Sequence, residues 1–151
     1  MTNIFRMLLL VAALGLAACS RPALVPLGGV SIDNRDAVAQ IREGSMFLRG
    51  LDKKRLELKE MPNPMGNYVF AVSPGQHALL AMNIQAGHVI PYEGMRCYIL
   101  EADMKAGVTY RLDEDKEKQR AVLKREDTGV EVAAGEMVSQ QSAYSDVCQW
   151  K

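Results

Sequence analysis

From about Val30 onward the chain is built of short apolar runs separated by turn residues, and no stretch repeats at the helical period. That pattern constrains the fold more than any other feature. Helices of ordinary length need apolar residues every three to four positions over ten or more residues, and the turn residues here interrupt the chain too often for that. The runs read Ala37–Ile41, Met46–Leu51, Arg55–Glu60, Tyr68–Val72, His77–Ile84, Met95–Ala102, Val108–Leu112, Arg120–Arg125 and Val130–Ala134. Arg55–Glu60 alternates, with Leu56 and Leu58 on one side and charges on the other. Ala37–Ile41 suits either a strand or a short helix capped by Asp33 or Asn34. Ser73-Pro74-Gly75-Gln76 suits a type II turn, because Pro presets the first central φ and Gly takes the positive φ at the second. Antiparallel strands at hairpin spacing bury their apolar faces in a β-sandwich or barrel. The expectation is an all-β fold, an antiparallel β-sandwich of about 7–8 strands over residues 30–138.

The N-terminus is different in kind. Met1–Arg6 is polar and carries one cation, and Met7–Cys19 is uncharged and apolar over 13 residues. A helix of that length rises about 20 Å, short of a hydrocarbon core of about 30 Å. A short apolar run behind a basic start, ending in small residues, is the pattern of a secretory signal. Residues 1–18 are therefore expected to be a cleaved signal peptide. Ser20–Gly29 holds two Pro and two Gly and reads as a tether, so that 19–29 links the anchor to the domain.

Loss of residues 1–18 leaves 151 − 18 = 133 residues, enough for one hydrophobic core. The charges of the full chain balance, at 18 Lys+Arg against 18 Asp+Glu, and loss of Arg6 with the signal leaves 17 against 18. No basic excess points to nucleic acid, and the low aromatic content argues against a stacking platform. Of the three cysteines, Cys19 lies at the signal boundary, which leaves Cys97 and Cys148. Two thiols in an exported chain read as one disulfide, the alternative being two unpaired buried thiols. Cys148 lies in the polar tail 139–151, where a lone Cys has no packing role, so the disulfide is the expectation.

Leu16-Ala17-Ala18-Cys19, followed by Ser20, resembles the lipobox of bacterial lipoproteins. The resemblance implies a diacylglyceryl group on the Cys19 sulfur and cleavage after Ala18. Two or three acyl chains anchor a protein stably without a transmembrane helix. Ser20 rather than Asp in the following position implies transfer to the outer membrane, facing the periplasm. In a Gram-positive host the same anchor implies the outer face of the cell membrane. The mature chain also resembles small bacterial lipoprotein β-sandwiches of the PEGA-like type and related domains of unknown function. The residues concerned are Val72-Ser73-Pro74-Gly75-Gln76-His77 and Ala106-Gly107-Val108-Thr109-Tyr110, while Asp52-Lys53 departs from the Asp-Gly common at the early hairpin of that group. The group implies a fold and an envelope location and carries no catalytic residues across.

Catalytic patterns are sparse. His77 and His88 are the only histidines available as a base, and no Gly-x-Ser-x-Gly elbow, phosphate-binding Gly loop, dinucleotide fingerprint or Cys/His zinc spacing occurs. Asp113-Glu114-Asp115 lacks the ligand alternation and Gly of a calcium loop and has Lys116 and Lys118 beside it. The expected role is thus non-enzymatic, without cofactor or metal: an envelope lipoprotein bound to the membrane through Cys19, acting as an accessory or interaction module for another envelope protein. The alternative is a soft-metal binder. Met61 and Met65 flank a Pro-Asn-Pro segment, and thioethers with His77 or His88 suit Cu(I).

Overall fold

The computed structural model describes residues 24–57, 68–84, 95–141 and 148–150. Among them the fold is all-β, and every strand belongs to one sheet. The strands are β1 (Leu24–Pro26), β2 (Ala39–Glu43), β3 (Phe47–Leu51), β4 (Lys54–Arg55), β5 (Val69–Val72), β6 (Gly75–Ile84), β7 (Met95–Met104), β8 (Thr109–Asp115), β9 (Arg120–Arg125) and β10 (Glu131–Gln141). Their order is β1-β5-β2-β8-β9-β10-β7-β6-β3-β4. Neighbours are antiparallel except β1 with β5 and β2 with β8. These relations fix one direction for every odd strand and the opposite direction for every even one.

The two-sheet antiparallel sandwich is therefore corrected to one curled, mixed sheet, a half-barrel. The short β2–β3 connection shows why. These strands are six steps apart in the sheet order, roughly 29 Å if the sheet were flat. The chain from Glu43 to Phe47 spans at most about 14 Å, so the sheet must curl until β2 and β3 face each other. Bulges bend strands and sharpen their twist, and register shifts at Arg49, Val132 and Val138 supply such bends. Gly135 lets β10 lie close to β7, since a Cβ there would sit 2.1 Å from the Ile99 carbonyl oxygen.

The concave face holds the main core. Ile41, Leu48, Phe70, Leu79, Tyr98, Leu100, Tyr110, Leu112 and Leu123 are all buried there. Successive inward residues are two apart, as the strand period demands. A second cluster lies on the other face of β6 and β7, where Leu80, Met82 and Cys97 pack with Cys148 and, less buried, Ile99, Val138 and Trp150. Cys97 and Cys148 are bonded, with Sγ atoms 1.99 Å apart and Cα atoms 5.4 Å apart. The C-terminal residues thus strap the outside of the sheet, and Trp150 lies over Gly50, where a Cβ would meet the indole at 2.9 Å.

Other boundaries also move. The tether is shorter than expected, because Leu24–Pro26 is β1 and Leu27 N–H donates to Ala71 O at 2.8 Å. The polar tail begins later, since β10 runs to Gln141. Asp113–Asp115, expected in a turn, extends β8. Both readings of the Ala37–Ile41 region occur in succession. Asn34 caps a 3₁₀ turn over Arg35–Ala37, and β2 follows at Ala39. Leu56 packs on the core as its alternation predicts, while Leu58 lies outside the described residues.

Asp52 and Lys53 form the two-residue β3–β4 turn with φ of +51° and +64°, the type I′ geometry that favours Gly in second place. Lys53→Gly is expected to stabilise the fold by roughly 0.5–1 kcal/mol, because the left-handed strain of a side chain outweighs the added freedom of unfolded Gly. A denaturant titration that places the midpoint of the variant above that of the parent is the check.

Candidate functional site

All five connections at one end of the half-barrel fall within the described residues, and His77 sits there, near the start of β6. Its side chain is buried, with 8% exposed. Asp52 in the β3–β4 turn reaches it, with Oδ2 2.6 Å from His77 Nδ1. The Asp52 carboxylate also accepts from Ala78 N–H at 3.0 Å, while its own N–H donates to Ala78 O. On the other side of the ring, Nε2 lies 2.8 Å from Ser73 O and 3.2 Å from Ser73 Oγ. A shallow depression of about 210 Å³, lined by Gln76, His77, Ala78 and Glu101, opens beside the ring.

A Ser, a His and an Asp at these distances have the spacing of a nucleophilic triad. The acceptors decide between a nucleophile and a clip. Nε2 is closest to a main-chain carbonyl, which only accepts. A hydrogen on Nε2 directed at that carbonyl leaves no lone pair to take the Ser73 proton. The ring thus lies between the Asp52 carboxylate on one side and the Ser73 carbonyl and hydroxyl on the other, and so joins the β3–β4 and β5–β6 turns. His77→Ala is expected to lower stability by about 1–3 kcal/mol, as the Ser73 and Asp52 acceptors lose their shared donor. Ser73→Ala should shift it by less than about 0.5 kcal/mol, because the main-chain carbonyl remains. Denaturant midpoints of both variants test this, and a larger loss at Ser73 than at His77 would contradict the clip.

The Ala106–Tyr110 turn closes in a related way. Gly107 takes φ +73°, its N–H donates to Val38 O, and the Tyr110 hydroxyl accepts from Lys105 N–H at 2.9 Å. In both turns a side chain from the returning strand bonds back onto the turn. This gives a physical reason for His and Tyr at those positions.

The other end holds a buried polar cluster. The Glu114 side chain is fully buried on the concave side. It accepts from Tyr98 OH at 2.7 Å and from the Asn83 amide, and Arg96 NH1 lies 3.8 Å away. Burial, and then donation to that carboxylate, push the Tyr98 phenol up to about 12. Glu114 N–H donates to Ser45 Oγ, and Ser45 N–H donates to Asp113 Oδ1, tying the β2–β3 connection to β8. Close by in the chain, Glu43 Oε1 accepts from Leu48 N–H at 2.9 Å, with Arg49 NH1 3.9 Å away. Burial raises the Glu43 carboxyl and lowers the Arg49 guanidinium from their ordinary values. These groups serve one another across the curl of the sheet.

The structure brings Cys97 and Cys148 together. Cys19, Met61, Met65 and His88 lie outside the described residues. Both ring nitrogens of His77 are engaged, so metal binding there would break the clip. Among the described residues no group of three His, Cys, Asp or Glu side chains could hold a metal ion. The partners Asp52, Ser73, Tyr98 and Glu114 are brought in by the fold. Asp at the first place of a two-residue turn was the only sequence signal for any of them. The fold and its sites define a class, an all-β half-barrel stapled by a disulfide. No family model, curated protein or solved structure matches the chain.

Proposed function

We propose that the chain is a lipid-anchored, non-enzymatic lipoprotein of the bacterial outer membrane, facing the periplasm, where it serves as an accessory or interaction module. The observation that carries this reading is how the cysteines divide. Leu16-Ala17-Ala18-Cys19 closes a short apolar segment, and the two remaining cysteines are bonded to each other. Such a bond persists in oxidising compartments and is rare in the cytosol. Among the described residues, both edges of the sheet resist adding a strand from another protein. β4 presents Lys54 and Arg55 over two residues, and β1 is three residues long and ends in Pro26. A protein partner therefore meets turns or sheet faces.

Mass spectrometry of the N-terminal peptide from host membranes tests the anchor. Cys19 should carry a diacylglyceryl mass, and Cys19→Ala should move the protein from the membrane to the soluble fraction. An unmodified Cys19 in a chain whose other two cysteines are free thiols would end the reading. Cross-linking in intact cells followed by purification tests the module role, which fails if no specific partner is recovered.

A further inference from the structure

We infer that Arg42, Arg111 and Lys124, side by side on the outer face of β2, β8 and β9, form a binding site for a phosphate group, carried on a lipid headgroup or free in solution.

Strand register places the three together. Arg42 is the direct partner of Arg111, and Arg111 is the direct partner of Lys124. Directly paired residues share a face of the sheet. Ile41, Leu112 and Leu123, their chain neighbours, are buried in the main core, so by alternation the cations stand on the outer face. Adjacent strands lie about 4.8 Å apart, which sets the ends of the row about 10 Å apart. The Arg42 and Arg111 side chains are 41% and 53% exposed, so the row is open to solvent. The whole chain has no cationic excess; strand order, not composition, makes the row. Like charges directly opposite one another destabilise a sheet, and an anion that bridges them offsets the repulsion.

The carboxylates around the row leave donors for such an anion. Glu126 meets Arg42 at Nε, 2.9 Å away, and Asp113 meets Arg111 at Nε, 3.1 Å away. Among the described residues the Nη groups of both arginines make no hydrogen bond, and Lys124 makes no ion pair. Glu131, opposite Lys124 on β10, is held at 2.9 Å by Arg120, which also takes Asp115. A carboxylate fills one edge of a guanidinium, as Glu126 and Asp113 do. Two guanidinium ends and an ammonium in line favour an acceptor with several oxygens and more than one negative charge, and a phosphate monoester has both.

Titration calorimetry on the full chain in neutral detergent micelles tests the site. One arm adds inorganic phosphate; the other adds micelles containing phosphatidic acid, with phosphatidylcholine as the lipid control. Binding in the first arm alone makes free phosphate the ligand, binding in the second alone makes it a headgroup, and either supports the site. Combining Arg42→Gln, Arg111→Gln and Lys124→Gln should weaken binding at least tenfold. Combining Lys53→Gln, Lys54→Gln and Lys105→Gln removes the same charge from other exposed positions and should leave binding as in the parent. Glu126→Gln removes a carboxylate that competes for Arg42 and should tighten binding severalfold. Exposed ion pairs contribute little to stability, so all three variants should fold, which Trp150 emission checks. No binding in either arm, equal binding of phosphatidylcholine, equal loss in the two triple variants, or unchanged or weaker binding by Glu126→Gln overturns the inference.

Discussion

Glu114→Ala is expected to lower stability by about 3–5 kcal/mol, because it removes the one group that several buried donors share. The carboxylate has no solvent exposure and is met by the Tyr98 hydroxyl, the Asn83 amide and, at 3.8 Å, Arg96. Taking it away leaves a buried hydroxyl and a buried amide donor without this partner and a half-buried guanidinium without its nearest buried counter-charge. Each neutral donor stranded this way is worth about 1–3 kcal/mol, and a charge more. Glu114→Gln keeps an acceptor of the same shape and should lose distinctly less. The gap between the two variants in a urea titration isolates what the charge contributes. A cycle with Tyr98→Phe should show coupling of about 0.5–3 kcal/mol, as for residues in one hydrogen-bond network. Alanine and glutamine variants that unfold at the same midpoint as the parent would show that the cluster does not hold the sheet in its curl.

The second large effect is at the disulfide. Cys97 and Cys148 are separated by 51 positions, and a loop of that length corresponds to about 4 kcal/mol in the chain-entropy model. Cys97→Ala combined with Cys148→Ala should therefore remove a large part of a stability that is usually about 5–15 kcal/mol. The loss also has a local component. The strap covers Leu80 and Met82 on the outer face, and Trp150, the only tryptophan of the chain, lies over Gly50. In the double variant its fluorescence should shift to longer wavelength under conditions where the sheet is still folded, as the strap leaves and the indole meets water. An unchanged emission would mean that packing alone seats the strap. In the parent protein both cysteines are shielded, at 0% and 1% exposure. A small dithiol should reduce them slowly until denaturant is added.

Much of the fold was legible along the chain because strand pattern is local. Alternation placed Leu56 on the core, and Met95–Ala102 and Arg120–Arg125 fall within observed strands. The pairing of Cys97 with Cys148 followed from counting thiols in a chain read as exported. Other signals were present and pointed past the sandwich. His77–Ile84 and Met95–Ala102 are apolar on both faces, and a strand needs that only when both faces are covered. The second cover is the C-terminal strap, whose sequence reads as polar tail and whose position depends on one sulfur–sulfur bond.

The lipobox-like Leu16–Cys19 segment, the strand-forming runs and the thiol count belong to the sequence by itself, since each depends on residues close in the chain or on composition. The single curled sheet, its parallel pairs, and the meetings of Asp52 with His77 and of Glu114 with Tyr98 were decided only by tertiary structure. Asp52 and His77 are 25 positions apart, and Glu114 and Tyr98 are 16 apart. Which strand lies beside which depends on register and curl over the whole sheet, and no local pattern encodes that choice.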